Sequence, residues 1–85
     1  MKRSAVTYRQ LDSVLRSLGF SARPSRNDPP GQVYEHKKVG AMIMLPTYVA
    51  TDKVFEHHMA AVRVELENFG IADSNTFAAK IQKAG

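Results

Sequence analysis

Residues 7–20, TYRQLDSVLRSLGF, describe one amphipathic helix with both of its ends marked. Leu11, Val14, Leu15 and Leu18 fall at i, i+3, i+4 and i+7, a single apolar stripe at helical period. Thr7 and Gln10 have the spacing of a capping box, in which hydroxyl and amide each satisfy an orphan backbone N–H. Val6 and Leu11 stand where a hydrophobic staple would close the start of the helix. Gly19 supplies the left-handed residue that ends it, and Phe20 can fold back onto Leu15. A helix with these ends, followed by a basic loop and a hairpin, opens one small fold.

The basic loop is SARPSRNDPPGQ, residues 21–32. Its Pro, Asn, Asp and Gly residues predict a loop in the second half, while Ser21 to Arg23 can form a short edge strand limited by Pro24. Strands 33–36 and 41–45 then flank Lys37-Lys38-Val39-Gly40, a hairpin whose four-residue connection carries a Gly at the turn. The second strand is apolar on both faces, which predicts a central position or a cover of helices. Pro46 ends it, and Asp52 stands as the N-cap of the next helix. Phe55, Met59, Val62, Leu66 and Phe69 follow at alternating steps of four and three, predicting a helix over 53–69 that Gly70 stops. Ile71 then turns inward, Asp73 or Ser74 caps a last helix over 74–83, and Phe77, Ala78 and Ile81 form its buried face.

The expectation is therefore one domain over residues 1–85, with helix 6–18, antiparallel strands within 21–45, helix 53–69 and a short helix 74–83. Its class is α+β, a two-layer α-β-β(-β)-α(-α) arrangement with an antiparallel sheet covered by helices on one face. The other face of the sheet must be polar or must bind something.

Composition narrows the chemistry. The chain has 85 residues and no cysteine, which excludes disulfides and thiolate metal sites. No apolar run approaches the roughly 18 residues of a membrane span. The start, MKRSAVTYRQ, lacks the apolar segment of a signal peptide. A soluble, cytoplasmic protein without membrane contact is expected. Residues 1–38 carry eight Lys/Arg against three acidic residues, while residues 39–85 carry four against five. A basic half beside a near-neutral half points to a surface that faces a polyanion.

Glu56-His57-His58 invites a metal reading and fails it, because adjacent helical residues diverge by about 100° in direction. Neither histidine has a ligand three or four residues on, so the two-histidine logic of HExxH is absent and no metal is expected. His36 shares a strand face with Tyr34 and precedes Lys37 and Lys38. A histidine so placed can act as acid or base on a ribose hydroxyl or phosphate. Arg23, Arg26, Lys37 and Lys38 lie on the loop and the hairpin tip, positioned for phosphate contacts. Tyr34 can stack on a base or pack in the core. Ser13 and Ser17 lie one turn apart with no activating partner in the pattern. Pro29-Pro30-Gly31 lacks the spacing of a phosphate loop. No small-molecule cofactor is implied.

Taken together, LDSVLRSLGF, a basic loop, VYEH, a turn, AMIMLP, VELENFGI and the cap ADSNTF resemble the HicA-like (YcfA-like) toxins of toxin–antitoxin pairs. The resemblance spans about residues 7–82. It implies a double-stranded-RNA-binding-like fold, RNA binding, mRNA cleavage and neutralisation by a HicB-like antitoxin. Members of that family cut RNA with one histidine in a Gly-Ser/Thr-His motif at the start of a strand. Aligned on Tyr34, that motif falls at Pro29-Pro30-Gly31, so Gly31 occupies the catalytic position. His36 lies at the far end of the strand. A binding domain with weak or no nuclease activity is the leading expectation. The alternatives are an active mRNA interferase with a relocated histidine such as His36, and a protein-interaction module without nucleic acid.

Overall fold

The structure is a computed structural model and describes residues 2–25, 31–46 and 49–84. Along the chain run β1 (Arg3–Thr7), α1 (Tyr8–Ser17), β2 (Ser21–Ser25), β3 (Gly31–His36), β4 (Ala41–Pro46), β5 (Lys53–Phe55), α2 (Glu56–Asn68) and α3 (Ser74–Ala84). The class is α+β: among the described residues, antiparallel strands combine with three helices. Strands β2, β3 and β4 form one sheet in that order, and β1 pairs with β5 in a second.

Helix α1 has the ends its sequence predicts. The Gln10 N–H donates to Thr7 Oγ1 at 3.2 Å, and the Thr7 N–H donates to Gln10 Oε1 at 2.8 Å. The two remaining N–H groups of the first turn go to the 49–52 segment, Tyr8 to the Asp52 carbonyl at 3.0 Å and Arg9 to that of Ala50 at 2.9 Å. At the far end the Phe20 N–H reaches the Leu15 carbonyl and the Gly19 N–H reaches that of Arg16, both at 3.1 Å. With Gly19 at φ 101° this is a Schellman motif. The same motif closes α2, through Gly70 at φ 66° and the Ile71 N–H on the Leu66 carbonyl.

The core joins Leu11, Val14, Leu15 and Phe20 to Tyr34, Ile43 and Leu45 of the sheet and to Val62, Leu66 and Phe77 of the other helices. Val6, Met59, Ile71 and Ile81 pack at its margin. Asp73 caps α3, accepting from the Thr76 N–H at 2.7 Å. That bond holds the Asp73 carboxyl below the usual carboxylate range.

Several expectations are corrected. Residues 6 and 7 belong to β1 and the cap, so α1 starts at Tyr8. Residues 53–55 form β5, whose Val54 is fully buried, so α2 starts at Glu56. Its N-cap is Phe55, not Asp52, and it makes no side-chain cap bond. The Glu56 N–H is satisfied instead by the carbonyl of Lys2, the residue before β1, at 3.0 Å. Phe69 does not complete the buried stripe of α2 but stands exposed, and in α3 Phe77 is buried and Ile81 half-buried while Ala78 is exposed. Finally, β4 is neither central nor covered on both faces: it is an edge strand, and α2 and the core cover one face. Its burial alternates strictly: Ala41, Ile43 and Leu45 face the core, while Met42 and Met44 are exposed on the opposite face.

The β1–β5 ladder pairs Arg3 with Phe55 and Thr7 with Lys53, leaving an irregularity between. Ser4 fills it. Its hydroxyl donates to the Val54 carbonyl at 2.9 Å and accepts from the Val6 N–H at 3.2 Å.

Candidate nucleic-acid interface

The hairpin from β3 to β4 carries Lys37 and Lys38 in an exposed four-residue turn, with Gly40 at φ 78°. The Gly40 N–H donates to the His36 carbonyl at 2.8 Å and closes the turn. Arg23 lies in register with Val33 and, through it, with Met44, so these three side chains share the outward face of the sheet. Arg23 is largely exposed and stands 3.9 Å from the Glu35 carboxylate on that face. An exposed pair at that distance contributes little to stability and leaves the guanidinium free to turn toward a phosphate. Arg26 lies outside the described residues. Of the five expected nucleic-acid contacts, Lys37 and Lys38 are thus surface cations in the turn at one end of the sheet, and Arg23 is a surface cation at the middle of the edge strand β2.

Tyr34 is placed otherwise. It points to the core face, is fully buried, and donates its hydroxyl to Asp12 Oδ1 at 2.7 Å. The other carboxylate oxygen, Asp12 Oδ2, accepts from Arg16 Nε at 3.0 Å. No base can stack on this ring, and its role is to tie β3 to α1.

His36 shares that inward face. Its Nε2 lies 3.1 Å from the Leu18 carbonyl, and since a carbonyl only accepts, Nε2 carries the hydrogen. Nδ1 is buried without a partner among the described residues. The ring meets Phe20 edge-on at 5.3 Å. A Cβ at Gly19 would lie 2.8 Å from Nε2, so the helix end and the imidazole are fitted to each other. With one nitrogen spent and the other enclosed, His36 does not present an acid or base to a ligand. The expectation of a catalytic His36 is corrected: it anchors the end of β3 under the end of α1.

Gly31, the position that the resemblance to HicA-like toxins aligns with a catalytic histidine, lies at the first rung of β3 opposite Pro46. A Cβ built there would fall inside contact distance of the Leu45 carbonyl oxygen. Neither a histidine nor any other side chain has room on this backbone.

One cluster was invisible in the sequence. Tyr8 and His58 share a hydrogen bond, hydroxyl to Nδ1, at 3.3 Å. The rings of His57 and His58 lie 4.1 Å apart, so these neighbours do meet despite their divergent helical directions. Phe55 stacks on His57 at 5.7 Å, and the Arg3 guanidinium covers Phe55 at 4.0 Å. Among the described residues no group of three His, Asp or Glu side chains could hold a metal ion. Burial first, and then the neighbouring His57, hold the His58 imidazole below its ordinary value.

That shift has a sign that can be checked. The folded chain binds fewer protons at His58 than the unfolded chain, so stability falls as pH drops below the ordinary histidine value, about 6.5. Above that value both states are neutral there and the effect vanishes. Thermal melts at pH 7.5 and 5.5 should show a larger loss of Tm for the wild type than for His58→Gln. Equal losses would remove His58 as the source.

Compared with family models, curated proteins and solved structures, the chain matches none of them. Among the described residues no helix is long and apolar enough to cross a membrane.

Proposed function

We propose that this chain is a HicA-like RNA-binding domain, of double-stranded-RNA-binding-like fold, that holds RNA without cutting it. The observation that carries the reading is the division of labour on β3. Its inward residues Tyr34 and His36 are consumed by packing, while its end delivers Lys37 and Lys38 to solvent and the neighbouring strand β2 exposes Arg23. Cations on a turn suit phosphate contact and carry no sequence information. Gly31 removes the acid/base group, which supplies typically 10²–10⁴-fold of such a reaction's rate. What remains supports binding.

The test is the salt dependence of binding to labelled single- and double-stranded RNA. Affinity should fall steeply with salt, and alanine at Arg23, Arg26, Lys37 and Lys38 together should lower the slope of log K against log salt by up to about 4. The same RNAs should stay intact over hours with the wild type. Cleavage that survives in His36→Ala would place a nuclease elsewhere, and an unchanged slope would remove the patch.

A second reading rests on a separate observation. Met42 and Met44, 45% and 62% exposed, lie on the outward face of the edge strand β4. Exposed methionine adapts well to a protein surface. A protein partner, of the HicB-like kind the resemblance implies, would cover them. Binding of such a partner without any affinity for RNA would favour this interaction-module reading over the first.

A further inference from the structure

Helices α1 and α3 meet along a shallow cleft of about 200 Å³. Ser13, Val14 and Ser17 of α1 form one wall, and Lys80, Lys83 and Ala84 of α3 form the other. The lining contains two ammonium groups, two hydroxyls and no carboxylate. Among the described residues neither lysine makes an ion pair, whereas Lys2, Arg16 and Arg23 each have one. Ser13 Oγ has no hydrogen-bond partner among the described residues, and Ser17 Oγ donates to the Val14 carbonyl at 2.7 Å. The plainest account of Lys83 is that it complements the negative end of the α3 dipole. That account leaves Lys80, one turn earlier, and the facing serines unexplained.

The place of this cleft in the fold gives it a purpose. Ser17 adjoins Leu18, whose carbonyl receives His36 Nε2, and His36 leads directly into Lys37 and Lys38. The basic turn and the cleft are therefore neighbours around the C-terminal end of α1. The middle and last parts of the chain thus bring Lys37, Lys38, Lys80 and Lys83 around the helix end to which the first part adds two serines.

We propose that the α1–α3 cleft is a phosphate-binding subsite, in which Lys80, Lys83 and the Ser13 hydroxyl receive a phosphate of the bound RNA strand. It extends the Lys37–Lys38 contact onto the helical side of the molecule. The subsite rests on the RNA-binding reading for its ligand, while its chemistry, ammonium and hydroxyl donors toward a phosphate oxygen, is that of any phosphate group.

The experiment has two arms. In the first, labelled RNA is titrated into the wild type, Lys80→Gln/Lys83→Gln, Lys37→Gln/Lys38→Gln and the control Lys2→Gln/Arg63→Gln, which loses the same charge elsewhere. The cleft variant should bind about tenfold or more weakly, with the salt slope reduced by about 2, and the control should keep the wild-type slope. All variants should melt close to the wild type, since Lys2, Arg63 and Lys83 are exposed and glutamine keeps most of the stem of the half-buried Lys80. In the second arm, inorganic phosphate is titrated and backbone amide shifts are followed by NMR. Shifts at residues 13, 17, 80 and 83 are expected. A cleft variant that binds RNA as tightly as the control, beside a weakened turn variant, would overturn the subsite and spare the RNA reading. Phosphate shifts at the cleft without any RNA affinity would keep the site and sink the RNA reading. No RNA affinity and no phosphate shifts would sink both.

Discussion

Replacing Gly31 by histidine is expected to loosen the first rung of β3 without producing a nuclease. The obstacle is spatial, because a Cβ at this position runs into the Leu45 carbonyl oxygen, with the Leu45 carbonyl carbon at 3.4 Å and Pro46 Cα at 3.5 Å behind it. These are backbone atoms in a paired strand and cannot swing aside like a side-chain terminus. Overpacking of this kind typically costs about 1–3 kcal/mol. Against a total stability of about 5–15 kcal/mol for a domain, that is a large fraction. The collision begins at Cβ, so Gly31→Ala should lose a similar amount, and urea denaturation of both variants measures it. A Gly31→His protein with wild-type stability that cleaves RNA, beside an inert Gly31→Ala, would show that the pocket for a catalytic histidine still exists.

What was legible in the chain follows the range of the interactions involved. The capping box of Thr7 and Gln10, the Schellman ends at Gly19 and Gly70 and the turn at Gly40 are each written within six residues, and all of them form. The strands β1 and β5 are short and pair across about 50 residues of chain, so neither carries a period long enough to read. Phe55 fits the helical stripe of α2 by spacing, yet it is the last residue before the helix, because Lys53–Phe55 pairs with β1 first. The error about β4 has another cause. An apolar run has no period, so AMIMLP cannot say which of its residues face solvent. Only the burial of Ala41, Ile43 and Leu45 decides it.

The site divides in the same way. Lys37 and Lys38 are readable as exposed because a four-residue turn has nowhere to hide them. Tyr34 and His36 are readable as sharing a face, and they do, but the helix that covers that face is set by tertiary structure. Asp12 and Leu18, which claim the two side chains, lie 22 and 18 residues earlier. The cleft between α1 and α3 and the Tyr8–His58 bond are assembled from opposite halves of the chain. Each contributing pair, Ser13 with Ser17 or Lys80 with Lys83, shows only a helical spacing, and its meaning comes from what it is brought to face.

Tyr34→Leu should destabilise the protein severely while leaving the affinity of its folded fraction for RNA unchanged. Tyr34 is fully enclosed, and its ring and hydroxyl join β3 to α1 through Asp12. Losing a hydrogen bond to a charged group costs about 1.5–3 kcal/mol, and the space left by the ring adds to it, for a total of about 3 kcal/mol or more. Asp12 would keep Arg16 as a partner, which limits the penalty on the carboxylate. Tyr34→Phe isolates the hydroxyl and should lose only the hydrogen-bond part. The functional arm separates packing from recognition, since a base stacked on an aromatic ring is worth about 1–3 kcal/mol. Leucine in place of a stacking tyrosine would then weaken RNA binding about tenfold or more, measured at low temperature where the variant is still folded. Unchanged affinity beside a lowered Tm assigns Tyr34 to the core. The reverse pattern, wild-type Tm with lost affinity, would mean that the sheet opens to let RNA reach a ring that is enclosed here.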